Sequence, residues 1–189
     1  MSGFATDALV KLLELIPDPI GMRLLDIGAH PQSAHGPIFK HWGFDYLLSD
    51  MSDGVGYLGY KNGACDVIWA SHVLEHQVNP GVFLGRMADD LYPGGYLAIT
   101  VPPAKPQIVG GHVTIWNAGL LLYHLVLAGF DCSRAMVHCY GYNISVIVQY
   151  EPITLPPLIY GMGDIELLAD YFPIPVHQGF DGNINSVNW

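Results

Sequence analysis

Leu24-Leu25-Asp26-Ile27-Gly28-Ala29-His30-Pro31-Gln32 is the stretch on which the reading of this chain turns. The short, mostly apolar run from Met22 to Ile27 ends at Gly28, which predicts a buried strand closed by a residue whose bare backbone can approach a ligand. Asp50 follows Gly28 by 22 positions and ends a second short strand, Tyr46 to Ser49. An acid about 20 residues beyond such a glycine loop can accept both hydrogens of a ribose diol. A plainer alternative stands beside it, in which Asp26 and Gly28 merely terminate a strand. No second or third glycine clears room for a pyrophosphate, so a nicotinamide dinucleotide fold is disfavoured.

The pattern continues on both sides. Leu9, Leu12, Leu13 and Ile16 recur at helical spacing and Pro17 ends the run, predicting an amphipathic first helix. Pro37 at a first helical position begins a second helix to Trp42. A strand follows at Asp66 to Ala70, with a loop over Ser71 to Val78. Asn79 caps, and Pro80 starts, a helix that ends before Pro93-Gly94-Gly95. Tyr96 to Val101 reads as a strand stopped by Pro102-Pro103, and Ala118 to Ala128 as a helix between the cap Asn117 and the stop Gly129. Cys132 to Cys139 and Asn143 to Tyr150 form a terminal antiparallel pair around Gly141. Strands alternating with helices predict an α/β class: a Rossmann-like, mostly parallel sheet with helices on both faces and a terminal antiparallel strand. Residues 1–150 make this domain. Residues 151–189, rich in proline around one short helix near Asp164 to Tyr171, read as an arm packed on it or on a partner subunit.

Composition narrows the function classes. Seven Lys and Arg against 17 Asp and Glu give a formal charge of −10 over 189 residues, which argues against a surface that tracks nucleic-acid phosphates. Charged residues are only 13% and hydrophobic ones 51%, so much of the surface is uncharged or covered, and a homodimer is a reasonable expectation. Cys65, Cys132 and Cys139 are too few and too far apart for a disulfide framework or a thiolate zinc site. The N-terminus, with Asp7 and Glu14 in its apolar run, lacks the form of a secretory signal, and the chain reads as cytoplasmic. Val113 to Phe130 carries no formal charge over 18 residues, but Asn117, Gly119 and His124 interrupt it. A buried helix is favoured over a membrane span.

Three stretches together resemble the class I S-adenosylmethionine-dependent methyltransferases, especially the small-molecule branch that includes ubiquinone-biosynthesis O-methyltransferases. They are Leu24 to Ala29, Asp50-Met51-Ser52, and Cys65-Asp66-Val67-Ile68-Trp69-Ala70-Ser71-His72-Val73-Leu74-Glu75-His76, the last running through Asn79-Pro80 to Pro93-Gly94-Gly95 and Pro102. The resemblance covers residues 22–150. It implies S-adenosylmethionine as cofactor and O- or N-methylation of a small-molecule acceptor. It further implies that Asp26, Gly28, Ala29 and His30 line the methionine end, that Asp50 holds the ribose and Met51 touches the adenine, and that Ser71 and His72 close the pocket. The pattern departs from the family at two places. His30 and Gln32 stand where the family usually has glycine, and only fifteen residues separate Asp50 from Asp66, too few for a helix and a full third strand.

Methyl transfer needs a base only when the acceptor must lose a proton, and histidine titrates in the useful range. His76 and His112 are the catalytic candidates, the latter because it follows Gly110-Gly111 beyond the fifth strand of the family pattern; a solvated or packed histidine is the plainer alternative for each. His72-Val73-Leu74-Glu75-His76 also matches the inverted zinc-protease signature, in which one helix presents both histidines. Asn79-Pro80 starts a new helix too soon after it, so no metal is expected and metal-dependent hydrolysis through His72, Glu75 and His76 is the lesser alternative. The other alternative is a methyltransferase-like fold that has lost catalysis and serves binding or assembly.

Overall fold

The computed structural model describes residues 5–29, 34–49, 56–59 and 63–189. Along the chain run α1 (Thr6–Leu15), β1 (Arg23–Ile27), α2 (His35–Trp42), β2 (Asp45–Ser49), α3 (Gly56–Gly59), β3 (Cys65–Ser71), α4 (Pro80–Asp90), β4 (Leu91–Val101), α5 (Ala118–Leu127), β5 (Met136–Tyr140), β6 (Asn143–Gln149), α6 (Asp164–Leu167) and β7 (Ser186–Val187). Two 3-10 turns, Leu74–His76 and Ala169–Tyr171, complete the described elements.

Seven strands form one sheet in the order β2-β1-β3-β4-β6-β5-β7. The first four are parallel, whereas β6 runs antiparallel to β4 and β5, and β7 antiparallel to β5. Because side chains alternate across a strand, each strand feeds two cores. Leu25, Ile27, Ile68 and Ala70 face the core built with α4, α5 and the C-terminal arm. Leu24, Val67 and Trp69 face the second core with α1 and α2. Trp69 anchors that second face, with its ring 5.4 Å from Phe39 and 5.1 Å from His35. Both faces are covered, which is why the parallel strands read as continuous apolar runs.

The helix starts follow their caps. The Asn79 side chain accepts from Val82 N at 3.2 Å and Asn117 from Leu120 N at 2.8 Å. Three details differ from the sequence reading. Helix α2 begins at His35, so Pro37 is the third helical residue, still in the first turn, where its missing N–H costs no helical bond. The Pro93-Gly94-Gly95 segment lies within β4, because the Gly94 N–H reaches the Tyr150 carbonyl (2.8 Å) and the Tyr150 N–H reaches that of Gly95 (2.7 Å). Strand β5 starts at Met136 rather than Cys132, since Asp131 accepts from Ser133 N and Ala135 N donates to the Cys132 carbonyl, forming a turn first.

Among the described residues no strand lies between β2 and β3, and β2 is the sheet edge, as the short Asp50–Asp66 interval anticipates. Helix α3 is a single turn. Its Tyr57 is buried, donates to Asp90 Oδ2 at 2.9 Å and stands edge-on to Phe83 at 5.2 Å. The arm packs on this same chain: Leu168, Phe172, Val176 and Ile184 join the larger core, and β7 extends the sheet. Helix α5 ends after ten residues, and no helix among the described residues is long and apolar enough to cross a membrane.

Strand order reverses between β1 and β3, the place at which open α/β sheets bind ligands outside the carboxyl ends of their strands. Gly28 sits there with φ +77°, and a Cβ added to it would stand 2.5 Å from Val73 Cγ2. Gly28→Ala therefore combines left-handed strain with a core clash and is expected to cost about 2 kcal/mol or more. Thermal unfolding of the variant checks this, with a clear drop in Tm expected; an unchanged Tm would refute the close approach.

Candidate active site

The carboxyl ends of the four parallel strands are tied together in pairs. Gly28 N–H donates to the Ser49 carbonyl at 2.9 Å, which ties the end of β1 to that of β2. His72 N–H donates to the Thr100 carbonyl at 2.8 Å, which ties the end of β3 to β4. His72 takes φ +54°, a left-handed conformation that a non-glycine residue holds only where its surroundings enforce it. The enforcement is visible. His72 Nε2 lies 2.9 Å from Asn143 Oδ1 and Nδ1 lies 3.4 Å from Glu75 Oε1. Burial pulls the His72 pKa down, but the bonds to Glu75 and Asn143 and the Glu75 charge outweigh it, so the net direction is upward.

Asp26 is buried at the end of β1 and accepts from the Tyr46 hydroxyl at 2.9 Å. Burial lifts its pKa from 3.8 to about 7 despite that hydrogen bond. Ala29 and Ser71 are partly buried at the same edge. Of the expected cofactor residues, Asp26, Gly28, Ala29, Ser71 and His72 thus gather at the carboxyl ends of β1 and β3. His30, Asp50 and Met51 lie outside the described residues.

The two histidines proposed for catalysis come together. His76 is on the 3-10 turn after β3 and His112 on the long loop after β4, and their rings meet edge to face at 5.0 Å. Both the Val113 and Thr114 N–H groups donate to the Glu75 carbonyl, at 2.9 and 3.2 Å, so the loop is fastened to the turn beside His112. His76 Nδ1 lies 2.8 Å from the Gly111 carbonyl. The turn is three residues long and carries no zinc-protease helix; His72 does not join the pair but is held by Asn143. His112, Lys105, Thr114 and Tyr142 line a cavity of about 250 Å³ under this loop. A second cavity of about 320 Å³, lined by Trp116, Asn143 and Ile184 among others, lies at the same end of the sheet, against the arm. His124 packs edge-on against Trp116 at 5.0 Å, and burial lowers its pKa, in keeping with a core residue.

Polar residues that sequence reasoning missed are hydrogen-bonded at the same end of the sheet. Thr100 and Ser145 hydroxyls meet at 2.7 Å, the Tyr140 hydroxyl is 3.1 Å from that of Ser145, and Tyr140 also accepts from Ala8 N. Asn143 Oδ1 accepts from Ala5 N as well as facing His72. Thr100 is on β4 and the others on the β5–β6 hairpin, so their polar atoms converge only once β6 pairs with β4. The one signal in the sequence was polar residues set into otherwise apolar strand runs.

The Asp26 shift has a stability consequence with a definite sign. Between the unfolded value near 4 and the folded value of about 7, the folded chain retains a proton that the unfolded chain has lost. The carboxyl's contribution is therefore most favourable below pH 4 and is lost as pH rises through 7. Asp26→Asn keeps an acceptor for Tyr46 without the charge, so its Tm relative to the parent protein should rise steadily from pH 4 to pH 8. A pH-independent difference would contradict the burial-driven shift.

Comparison with known proteins agrees with this architecture. The profile of a family described as "Methyltransferase domain" matches residues 1–145. No curated protein matches the chain. Among solved structures, a Burkholderia thailandensis 1,6-didemethyltoxoflavin-N1-methyltransferase, with that ligand and S-adenosylhomocysteine bound, is similar at TM-score 0.62 and 15% identity, covering 77% of each chain. A SAM-dependent methyltransferase from Archaeoglobus fulgidus is similar at TM-score 0.54 and 14% identity, covering 78% of this chain and 95% of that one. The CurJ carbon methyltransferase gives 0.58 and 18%, over 75% of this chain and 52% of that one, so this chain spans about half its length. With the family profile covering well over half of the sequence, the chain belongs to the methyltransferase-domain family.

Proposed function

We propose that this chain transfers the methyl group of S-adenosylmethionine to an oxygen or nitrogen of a small-molecule acceptor. One observation carries the reading: the glycine crevice at the strand-order reversal and the His76–His112 pair both stand at the carboxyl end of the parallel strands, one suited to a donor and the other to an acceptor. The residues present fit the donor. Gly28 offers bare backbone at φ +77°, and Ser49, at the end of β2, has a buried hydroxyl without a hydrogen-bond partner among the described residues.

In this reading Asp26, Gly28, Ala29, Ser71 and His72 hold the methionine end, joined by His30, while Asp50 and Met51 hold the ribose and the adenine. When bound, S-adenosylmethionine supplies an electrophilic methyl group on a sulfonium. The chain's own contribution is positioning, which can supply much of the acceleration in an in-line displacement. His72 closes the crevice in a conformation set by Asn143 and Glu75. His112 faces the loop cavity and receives the acceptor's proton, with His76 orienting it. The acceptor lies under residues 102–115, where Tyr142 and Lys105 (Nζ 3.8 Å from the Tyr142 ring centroid) frame the cavity.

Transfer of radiolabelled methyl from S-adenosylmethionine to a panel of small hydroxyl- and amine-bearing acceptors tests this. A positive acceptor is expected, with His112→Ala lowering kcat/KM by about 100-fold or more while leaving S-adenosylhomocysteine binding intact. Methyl transfer unaffected in His112→Ala and His76→Ala would remove the assigned roles; a protein that binds donor product but methylates no acceptor would favour the binding or assembly reading.

A further inference from the structure

Glu75 carries a fully buried carboxyl group. It is 0% exposed, and apart from the long 3.4 Å approach of His72 Nδ1 to Oε1 its carboxylate oxygens have no hydrogen-bond partner among the described residues. Leaving a buried carboxylate without such bonds is costly, and buried charges are normally paired or coordinate metals. What surrounds Glu75 is imidazole. His76 Nε2 is 3.8 Å and His72 Nδ1 3.4 Å from Oε1, and one donor atom from each of Glu75, His76 and His112 falls within 4.8 Å of the others.

We infer that Glu75, His76 and His112 form a binding site for a divalent transition-metal ion. His76 is pre-set for it. Its Nδ1 faces the Gly111 carbonyl, which can only accept, so Nδ1 carries a hydrogen and Nε2, the nitrogen within 3.8 Å of the carboxylate, is the one left to bind an ion. Ligating histidines are ordinarily oriented in this way, by a carbonyl on the other ring nitrogen. Nε2 and the carboxylate together offer a cation one nitrogen and one oxygen donor. The two backbone bonds from Val113 and Thr114 to the Glu75 carbonyl hold the loop that carries His112 against the turn that carries Glu75 and His76.

The spacing is workable. Ligands about 2.1 Å from a tetrahedral ion lie about 3.4 Å from each other, so the donors close on it by small side-chain rotations. Two imidazoles with one carboxylate favour zinc or a neighbouring first-row ion over magnesium, which prefers oxygen. Three protein ligands also leave an open position, the mark of a reactive rather than a structural site. His72 belongs to the same histidine-rich segment but turns its Nε2 to Asn143. With an ion in place the two imidazoles act as ligands rather than bases; that consequence rests on the methyl-transfer reading, whereas the binding site does not.

The test uses the untagged full chain, stripped with EDTA and titrated calorimetrically with zinc chloride and manganese chloride, with elemental analysis of the dialysed protein. One zinc per chain is expected, with zinc raising the Tm. Affinity should fall at least about 10-fold in both His76→Ala and His112→Ala, a loss that removal of even a supporting group can cause. His41→Ala, at an exposed histidine on α2, should bind as the parent does. His112 is only partly buried, so its variant keeps the question answerable if Glu75→Gln fails to fold; circular dichroism confirms each fold. No stoichiometric zinc, or zinc retained unchanged in both histidine variants, would overturn the site. S-adenosylhomocysteine binding measured on the same samples separates this failure from failure of the methyltransferase reading.

Discussion

The approach of Gly28 to Val73 is the contact on which the site depends. It brings the backbone at the end of β1 against the first residues beyond β3, and only a residue without a Cβ and with access to φ +77° permits it. Because β1 and β3 are neighbours in register from Leu24↔Val67 to Ile27↔Ala70, the contact fixes the height at which the β3 chain leaves the sheet. His72 is then turned into its left-handed conformation and the Leu74–His76 turn follows at once. Strain at His72 is offset by the buried packing on either side of it, Ala70 and Val73 among it.

A second constraint comes from the far side of the sheet. The β5–β6 hairpin runs back along β4, so its turn lies at the same end as the loops of the parallel strands. Asn143 thereby meets both His72 and the start of α1, and Ser145 meets Thr100. The arm adds β7 to this edge, and its Gly182 carbonyl accepts from Gly119 N at the first turn of α5. Sheet, hairpin and arm thus enclose one end of the molecule, where both cavities lie. Glu75 and His76 belong to this enclosure through the loop that carries His112, a buried carboxylate and two imidazoles in one small volume.

Much of the fold was legible because it is written in short-range pattern. The Asn79-Pro80 and Asn117 caps, the glycine after β1 and the apolar runs of doubly covered strands each have a local cause. Strand β7 and the bulged start of β4 were not legible, since each is made by pairing with a distant partner: Val187 with Val137, and Gly94 with Tyr150. The site divides in the same way. Asp26 and Gly28 could be placed from spacing, and His76 and His112 could be named. Their contact with each other and with Glu75 could not, because it depends on how the loop after β4 folds back on the turn after β3. The segment His72 to His76 looked like a metal motif by its own spacing, yet the residue that completes the cluster is His112 and the residue that leaves it is His72.

Calorimetric titration of the purified chain with S-adenosylhomocysteine shows whether the Gly28 end of β1 accepts a methyl donor. One site per chain with micromolar affinity, about −8 kcal/mol, is expected, with that binding lost in Asp50→Ala. No detectable binding at millimolar ligand would contradict it and would mean that the loop carrying His30 and Gln32 leaves no room for a cofactor.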